Sequence, residues 1–131
     1  MTMIEWAVNY VKNKDLFKRE LVDFRIEQNT VLFEFKNKKN IFIIADLLDS
    51  ESIKPKEFPS TIVCLNKKDN LEFLIKNWSA FAAQKELMVI FVNPAANEKW
   101  IIKPHIHDQI TEKESLRTGL QSMFETVPEA A

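Results

Sequence analysis

An α/β fold, with a mixed β-sheet flanked by helices, is what this 131-residue sequence predicts. Three observations carry that expectation. An opening amphipathic stretch is followed by segments in which apolar and polar residues alternate. Several short runs are apolar at nearly every position. Stretches with apolar residues at helical spacing then separate and follow those runs. A sheet that begins as an antiparallel meander and continues in strands alternating with helices belongs to the α/β class, arranged in three layers.

The first helix is expected from Thr2 to about Leu16, because Ile4, Ala7, Val8 and Val11 recur on one face with Trp6 and Tyr10 packing beside them. Two strands follow. Val22, Phe24 and Ile26 alternate with Asp23, Arg25 and Glu27, and Val31, Phe33 and Phe35 alternate with Leu32, Glu34 and Lys36. The turn between them falls in Gln28-Asn29-Thr30. Ile41 to Leu48, "IFIIADLL", reads as a strand buried on both faces, entered through a turn at Asn37 to Asn40. Asp49 to Ser60 holds two prolines and many charges and reads as a loop. Thr61 to Leu65 is a short buried strand, in which Cys64 reads as a core residue rather than a nucleophile.

Asn70 to Lys85 carries a wide stripe of Leu71, Leu74, Ile75, Trp78, Phe81 and Ala82, with Asp69 placed to cap it. Leu87 to Val92 is another buried strand, and Lys99 to Lys103 a further one with Trp100 and Ile102 on one face. The last helix is expected from Glu112 to Thr126, capped by Thr111, with Leu116, Leu120, Met123, Phe124 and Val127 at helical intervals. Phe17, Phe24, Phe33, Phe35 and Phe42 are assigned by this pattern to the core rather than to base stacking. No linker, repeat or low-complexity segment divides residues 1–131, so a single domain is expected.

The bulk numbers exclude several functions. With 18 basic and 19 acidic side chains the net charge is −1, so any nucleic-acid footprint must be local. A mild basic excess does lie between Lys12 and Asn40. The single glycine, Gly119, excludes Gly-rich phosphate loops of the Walker or dinucleotide type. One cysteine cannot form an internal disulfide, and the N-terminus has neither the basic nor the apolar region of a signal peptide. A cytoplasmic protein without a membrane span is therefore expected.

The first hairpin carries the sharpest candidate chemistry. Only a loop with an even number of residues keeps both apolar faces together. A loop at Gln28-Asn29 sets Asp23 opposite Glu34, whereas one at Asn29-Thr30 sets Asp23 opposite Lys36 and Arg25 opposite Glu34. In either register Asp23, Glu34 and Lys36 share a face. Two such carboxylates can share a hard divalent cation, and a neighbouring lysine can orient water. The same alternation is also what a solvated hairpin face produces. Elsewhere, Pro104-His105-Ile106-His107-Asp108 would put two imidazoles on one face of a strand. No third metal ligand is identifiable there, and it reads as a polar strand end.

Asp23 followed on the next strand by Glu34-Phe35-Lys36 resembles the PD-(D/E)xK nuclease superfamily, the archaeal Holliday-junction resolvases in particular. The long helix ending "FAAQKE", the strand "LMVIFV" and the strand in "EKWIIKP" are similar to the second half of such proteins. The resemblance implies a restriction-endonuclease-like fold and Mg²⁺-dependent cleavage of DNA or RNA. In that picture Asp23 and Glu34 hold Mg²⁺, Lys36 positions the attacking water and Glu5 on the first helix assists. Lys38 and Lys39 meet phosphates, and a homodimer through the apolar C-terminal helix is the expected assembly. Val22 stands where the family name has proline, and two further strands separate Glu34-Phe35-Lys36 from the long helix. Threading backwards from that helix gives a second alignment, in which Asp46 is kept but Cys64 and Asn66 replace the acid and the lysine. That alignment keeps the fold and loses the metal site. The alternative to a nuclease is a non-catalytic interaction or regulatory module whose partner is another protein.

Overall fold

A computed structural model describes residues 1–56 and 59–131. Helix α1 (Met3–Asp15) leads into strands β1 (Leu21–Glu27), β2 (Thr30–Phe35), β3 (Lys39–Ile44) and β4 (Ser60–Leu65). Helices α2 (Lys68–Lys76) and α3 (Trp78–Ala82) come next, followed by β5 (Leu87–Asn93) and β6 (Glu98–Ile102). The chain ends with α4 (Pro104–Ile110), a 3₁₀ turn at Lys113–Ser115 and α5 (Leu116–Glu125). The six strands form one mixed sheet in sequential order. The pairs β1–β2, β2–β3 and β5–β6 are antiparallel, while β3–β4 and β4–β5 are parallel.

The sheet separates two cores. On one face α1 lays Trp6, Ala7, Val8 and Val11 against Val31, Phe33, Phe42, Ile44, Val63, Ile90 and Val92. On the other, α2, α3 and α5 pack Leu71, Leu74, Trp78, Phe81, Leu120 and Phe124 over Ile62, Cys64, Val89, Phe91, Trp100 and Ile102. Successive residues of β4 and β5 thus enter opposite cores, which is why both strands are apolar throughout. The second core draws on β4 to β6 and takes only Ile43 and Ala45 from the β3 segment. The β1–β3 part of that face is left uncovered by helices.

Helix α1 starts where the sequence predicts. Thr2 Oγ1 accepts from the Glu5 amide at 3.1 Å and Glu5 Oε1 accepts from the Thr2 amide at 3.2 Å, a reciprocal cap. Five expectations about these elements are corrected. The last helix, expected from Glu112 with Thr111 as its cap, begins at Leu116 after the 3₁₀ turn, and Thr111 instead ends α4. The expected 70–85 helix breaks at Asn77, whose side chain donates to the Phe73 carbonyl at 3.0 Å and competes with the helical ladder. Asp69 lies inside the first turn of α2 rather than capping it, and the Lys68 amide instead donates to Glu129 from the chain's far end at 3.1 Å. The strand expected through Leu48 stops at Ile44, and Leu48 turns into the helix-side core. Phe17 is 98% exposed rather than in the core, because it falls in the turn after α1 and meets no packed surface.

The carboxyl ends of β3, β4 and β5 are tied by buried asparagines. Asn66 accepts from Trp100 Nε1 at 2.7 Å and donates to the carbonyls of Phe124, Val127 and Pro128. Asn70 accepts from the Leu48 amide and donates to the carbonyls of Asp46 and Leu65, each at 2.8 Å. Replacing Asn66 with alanine would strand the Trp100 indole N–H and several carbonyls in a dry interior. Asn66→Ala is expected to lower unfolding stability by about 2–4 kcal/mol. Urea denaturation with an unchanged slope would show this, and a loss within about 0.5 kcal/mol would refute it.

Candidate functional site

Gln28-Asn29 forms the first hairpin's loop, with Gln28 in the left-handed conformation at φ 54°. Glycine would fit that position without strain, and Gln28 takes it instead. Of the two registers open to the sequence, the structure adopts the one that pairs Asp23 with Glu34. Cross-strand partners of this kind hold their Cβ atoms about 5 Å apart. A bulge between Leu21 and Asp23 throws Val22 outward, to 61% exposure, and turns Leu21 toward α1 in its place.

Two like charges directly opposed are unfavourable unless something offsets them. Here the next strand does so, since Glu34 also pairs with Lys39 of β3. The result is a row of Asp23, Glu34 and Lys39 across three strands, all exposed. Asp23 Oδ1 additionally accepts from the Phe24 amide at 2.8 Å. The neighbouring row is Arg25, Leu32 and Ile41, and Arg25 pairs with Glu27 at 2.8 Å along its own strand.

The remaining expected site residues are dispersed. Lys36 lies just past β2, its amide donating to the Glu20 carbonyl at 2.8 Å. Glu5 sits on α1, which packs on the opposite face of the sheet from Glu34, and its carboxylate is engaged by Thr2. Those bonds to the Thr2 backbone and hydroxyl hold the Glu5 carboxyl below its ordinary pKa. Lys38 and Lys39 point to opposite faces: Lys39 stands beside Glu34, while Lys38 lies over the Phe35 ring on the α1 side, 5.4 Å from its centroid. Asp23, Glu34 and Lys36 line none of four concavities formed by the described residues. Among the described residues, no three His, Cys, Asp or Glu side chains come together as a metal cage.

The second alignment leads to structural groups. Asp46 follows β3 and its carbonyl accepts from the Leu65 amide and from Asn70. Cys64 is wholly buried, and burial pushes its thiol well above the ordinary pKa. Asn66 is the buried tie already described.

His105 and His107 are corrected from strand to helix. Pro104 occupies the first turn of α4, where its missing N–H and fixed φ suit a helix start. The Lys103-Pro104 step was the signal for this. Two residues apart on a helix, the imidazoles diverge. His105 Nδ1 lies 2.9 Å from the Ala82 carbonyl, whereas His107 meets the Trp78 ring edge-on at 5.7 Å between centroids. Asp108 accepts from Trp78 Nε1 at 2.8 Å. Of α5, the helix expected to mediate a dimer, Leu120 and Phe124 are buried in the core of the chain itself, as is Val127 just past its end.

Comparison of this chain with family models, with curated proteins and with solved structures found no match. What the structure defines is an α/β protein with a six-stranded mixed sheet and helices on both faces. Among the described residues, no helix is long and apolar enough to cross a membrane.

The thiol of Cys64 is a direct probe of core integrity. An aromatic disulfide reagent at mildly alkaline pH is expected to leave the native protein unmodified over the interval in which urea-unfolded protein reacts fully. Comparable rates in both states would mean that the helix-side core admits solvent.

Proposed function

We propose that this chain is a non-catalytic interaction module whose partner is another protein, docking on the uncovered face of β1–β3. The composition of that face carries the reading. Leu32 and Ile41, both half-buried, stand side by side at its centre, with Arg25 and Glu27 on one flank and Asp23, Glu34 and Lys39 on the other. An apolar centre with a rim of mixed charge suits a protein surface of complementary charge. A chain of net charge −1 is a weak polyanion ligand by contrast. The reading places the protein in a reducing cytoplasm, in keeping with its single buried cysteine.

One observation favours a second reading. Asp23 and Glu34 are direct cross-strand partners, the register in which two carboxylates can share Mg²⁺. In a restriction-endonuclease-like nuclease, Asp23 and Glu34 would hold the ion and Lys36 would position water against a DNA or RNA phosphodiester. An inactive relative would bind nucleic acid without cleaving it. Glu5 takes no part in this reading, because its helix packs across the sheet. Lys39 opposite Glu34 weighs against it, since it offsets the repulsion that a metal would otherwise relieve.

Calorimetric titration of Mg²⁺ and Mn²⁺ into the protein and its Glu34→Ala variant, alongside cleavage of linear, flapped and four-way-junction DNA, separates the two. No binding heat and no cleavage are expected from either protein. Binding and cleavage that both vanish in Glu34→Ala would establish the nuclease instead. For the docking face, chemical crosslinking in a lysate of source cells is the second arm. Lys39→Glu and Ile41→Asp are each expected to abolish the wild-type protein adduct, and Lys12→Glu, on α1, to leave it intact.

A further inference from the structure

On the opposite side of the sheet from the docking face, a cavity of about 120 Å³ opens between the C-terminal half of α1 and the β2–β3 turn. That is room for about four waters, the scale of one small oxyanion with part of its hydration shell. Its lining includes three lysines, Lys14, Lys18 and Lys38. Among the described residues, none of the three is in an ion pair. Lys14 lies over the Tyr10 ring at 5.5 Å and Lys38 over the Phe35 ring at 5.4 Å, so aromatic faces rather than carboxylates hold them.

Two carboxylates also line the cavity, and one of them is engaged. Asp15 accepts from the Glu20 and Leu21 amides, each at 2.9 Å, one bond to each oxygen. Against the three lysines, Asp15 and Glu20 bring two negative charges, which leaves the lining with an excess of positive charge. The carbonyls of Asn13 and Asp15 in the last turn of α1 are taken by the Leu16 and Arg19 amides. Phe42 and Met88 supply an apolar back wall, which lowers the local dielectric and strengthens any charge pairing there.

Asn40 adds the second observation. Its side-chain oxygen is buried with no hydrogen-bond partner among the described residues, in the wall of this cavity. An unsatisfied buried amide calls for a ligand or an ordered water. The NH₂ of the same side chain has no hydrogen-bond partner among the described residues either, and it can donate to an anion.

We propose that this cavity binds phosphate or a phosphomonoester, its oxygens taken by Lys14, Lys18 and Lys38 and by the Asn40 amide. Lysine is a compact point charge suited to a tetrahedral dianion. The site is on the far side of the sheet from Asp23 and Glu34, so it stands or falls independently of the docking reading.

The test is a ¹H–¹⁵N NMR titration of the full chain with sodium phosphate at constant ionic strength, with chloride and acetate as controls. Saturable shifts centred on the Asn40 side-chain NH₂ and the Tyr10 amide are expected. The K14Q/K38Q double variant is expected to bind at least about tenfold more weakly with its melting temperature unchanged, both side chains being exposed. A 5′-mononucleotide and a matched pair of 5′-phosphorylated and 5′-hydroxyl oligonucleotides then distinguish the source. Equal affinity for mononucleotide and phosphorylated oligonucleotide marks a small-molecule site. Tighter binding of the phosphorylated oligonucleotide alone marks a nucleic-acid end. Shifts that remain linear to about 10 mM phosphate, that acetate reproduces, or that the double variant retains would overturn the proposal.

Discussion

The side-chain amide of Asn66 joins parts of the chain that apolar contact alone would not hold in register. It sits just past the end of β4 with no exposure to solvent, so each of its polar atoms must find a partner inside the protein. The partners come from β6, from α5 and from the residues after α5. Its own amide donates to the Val92 carbonyl at the end of β5, and its carbonyl accepts from Ala130 near the C-terminus. Asn70 performs the same service one turn on, fastening the chain after β3 to the start of α2. Asn93 donates to the Pro128 carbonyl at 3.1 Å and completes the set. Hydrogen bonds are directional where hydrophobic contacts are not, so these three residues decide how the helices seat on the sheet.

That arrangement has a consequence for function. Open α/β sheets commonly bind ligands beyond the carboxyl ends of their parallel strands. Here those ends are filled by asparagine side chains and by the chain's own C-terminal residues. Two candidate places for a ligand or a partner lie elsewhere, on the uncovered face of β1–β3 and in the cavity under α1. The two are on opposite sides of one sheet and differ in character. One is flat, with half-buried leucine and isoleucine between charges of both signs. The other is concave, with lysines over aromatic rings and an unpartnered amide in its wall.

The hairpin shows why a two-carboxylate pattern is not by itself a metal centre. Pairing Asp23 with Glu34 would be unfavourable in an isolated two-stranded ribbon. In a three-stranded meander Glu34 has a second neighbour, and Lys39 on β3 balances it. Lys38, one residue earlier, is sent to the other face by the same pleat. Adjacent lysines that looked like one phosphate-contacting patch in the sequence therefore serve two different surfaces.

Much of the fold was legible in the residues themselves. The alternation of β1 and β2, the wholly apolar β4 and β5, and the stripes of α1 and α5 are local signals, each written within a few turns or a strand's length. They set the class, the sequence order of the six strands and the burial of Cys64. What they could not set were choices made by distant neighbours. Which half of a sheet face stays bare depends on what packs from elsewhere in the chain. So does the site under α1, where Lys14, Asn40 and Met88 meet across most of the sequence with no shared motif. By itself the sequence determined periodicity, because periodicity is a property of neighbouring residues. Only the tertiary structure decided cover, register and cavity, because each of these is a relation between segments that the chain brings together only on folding.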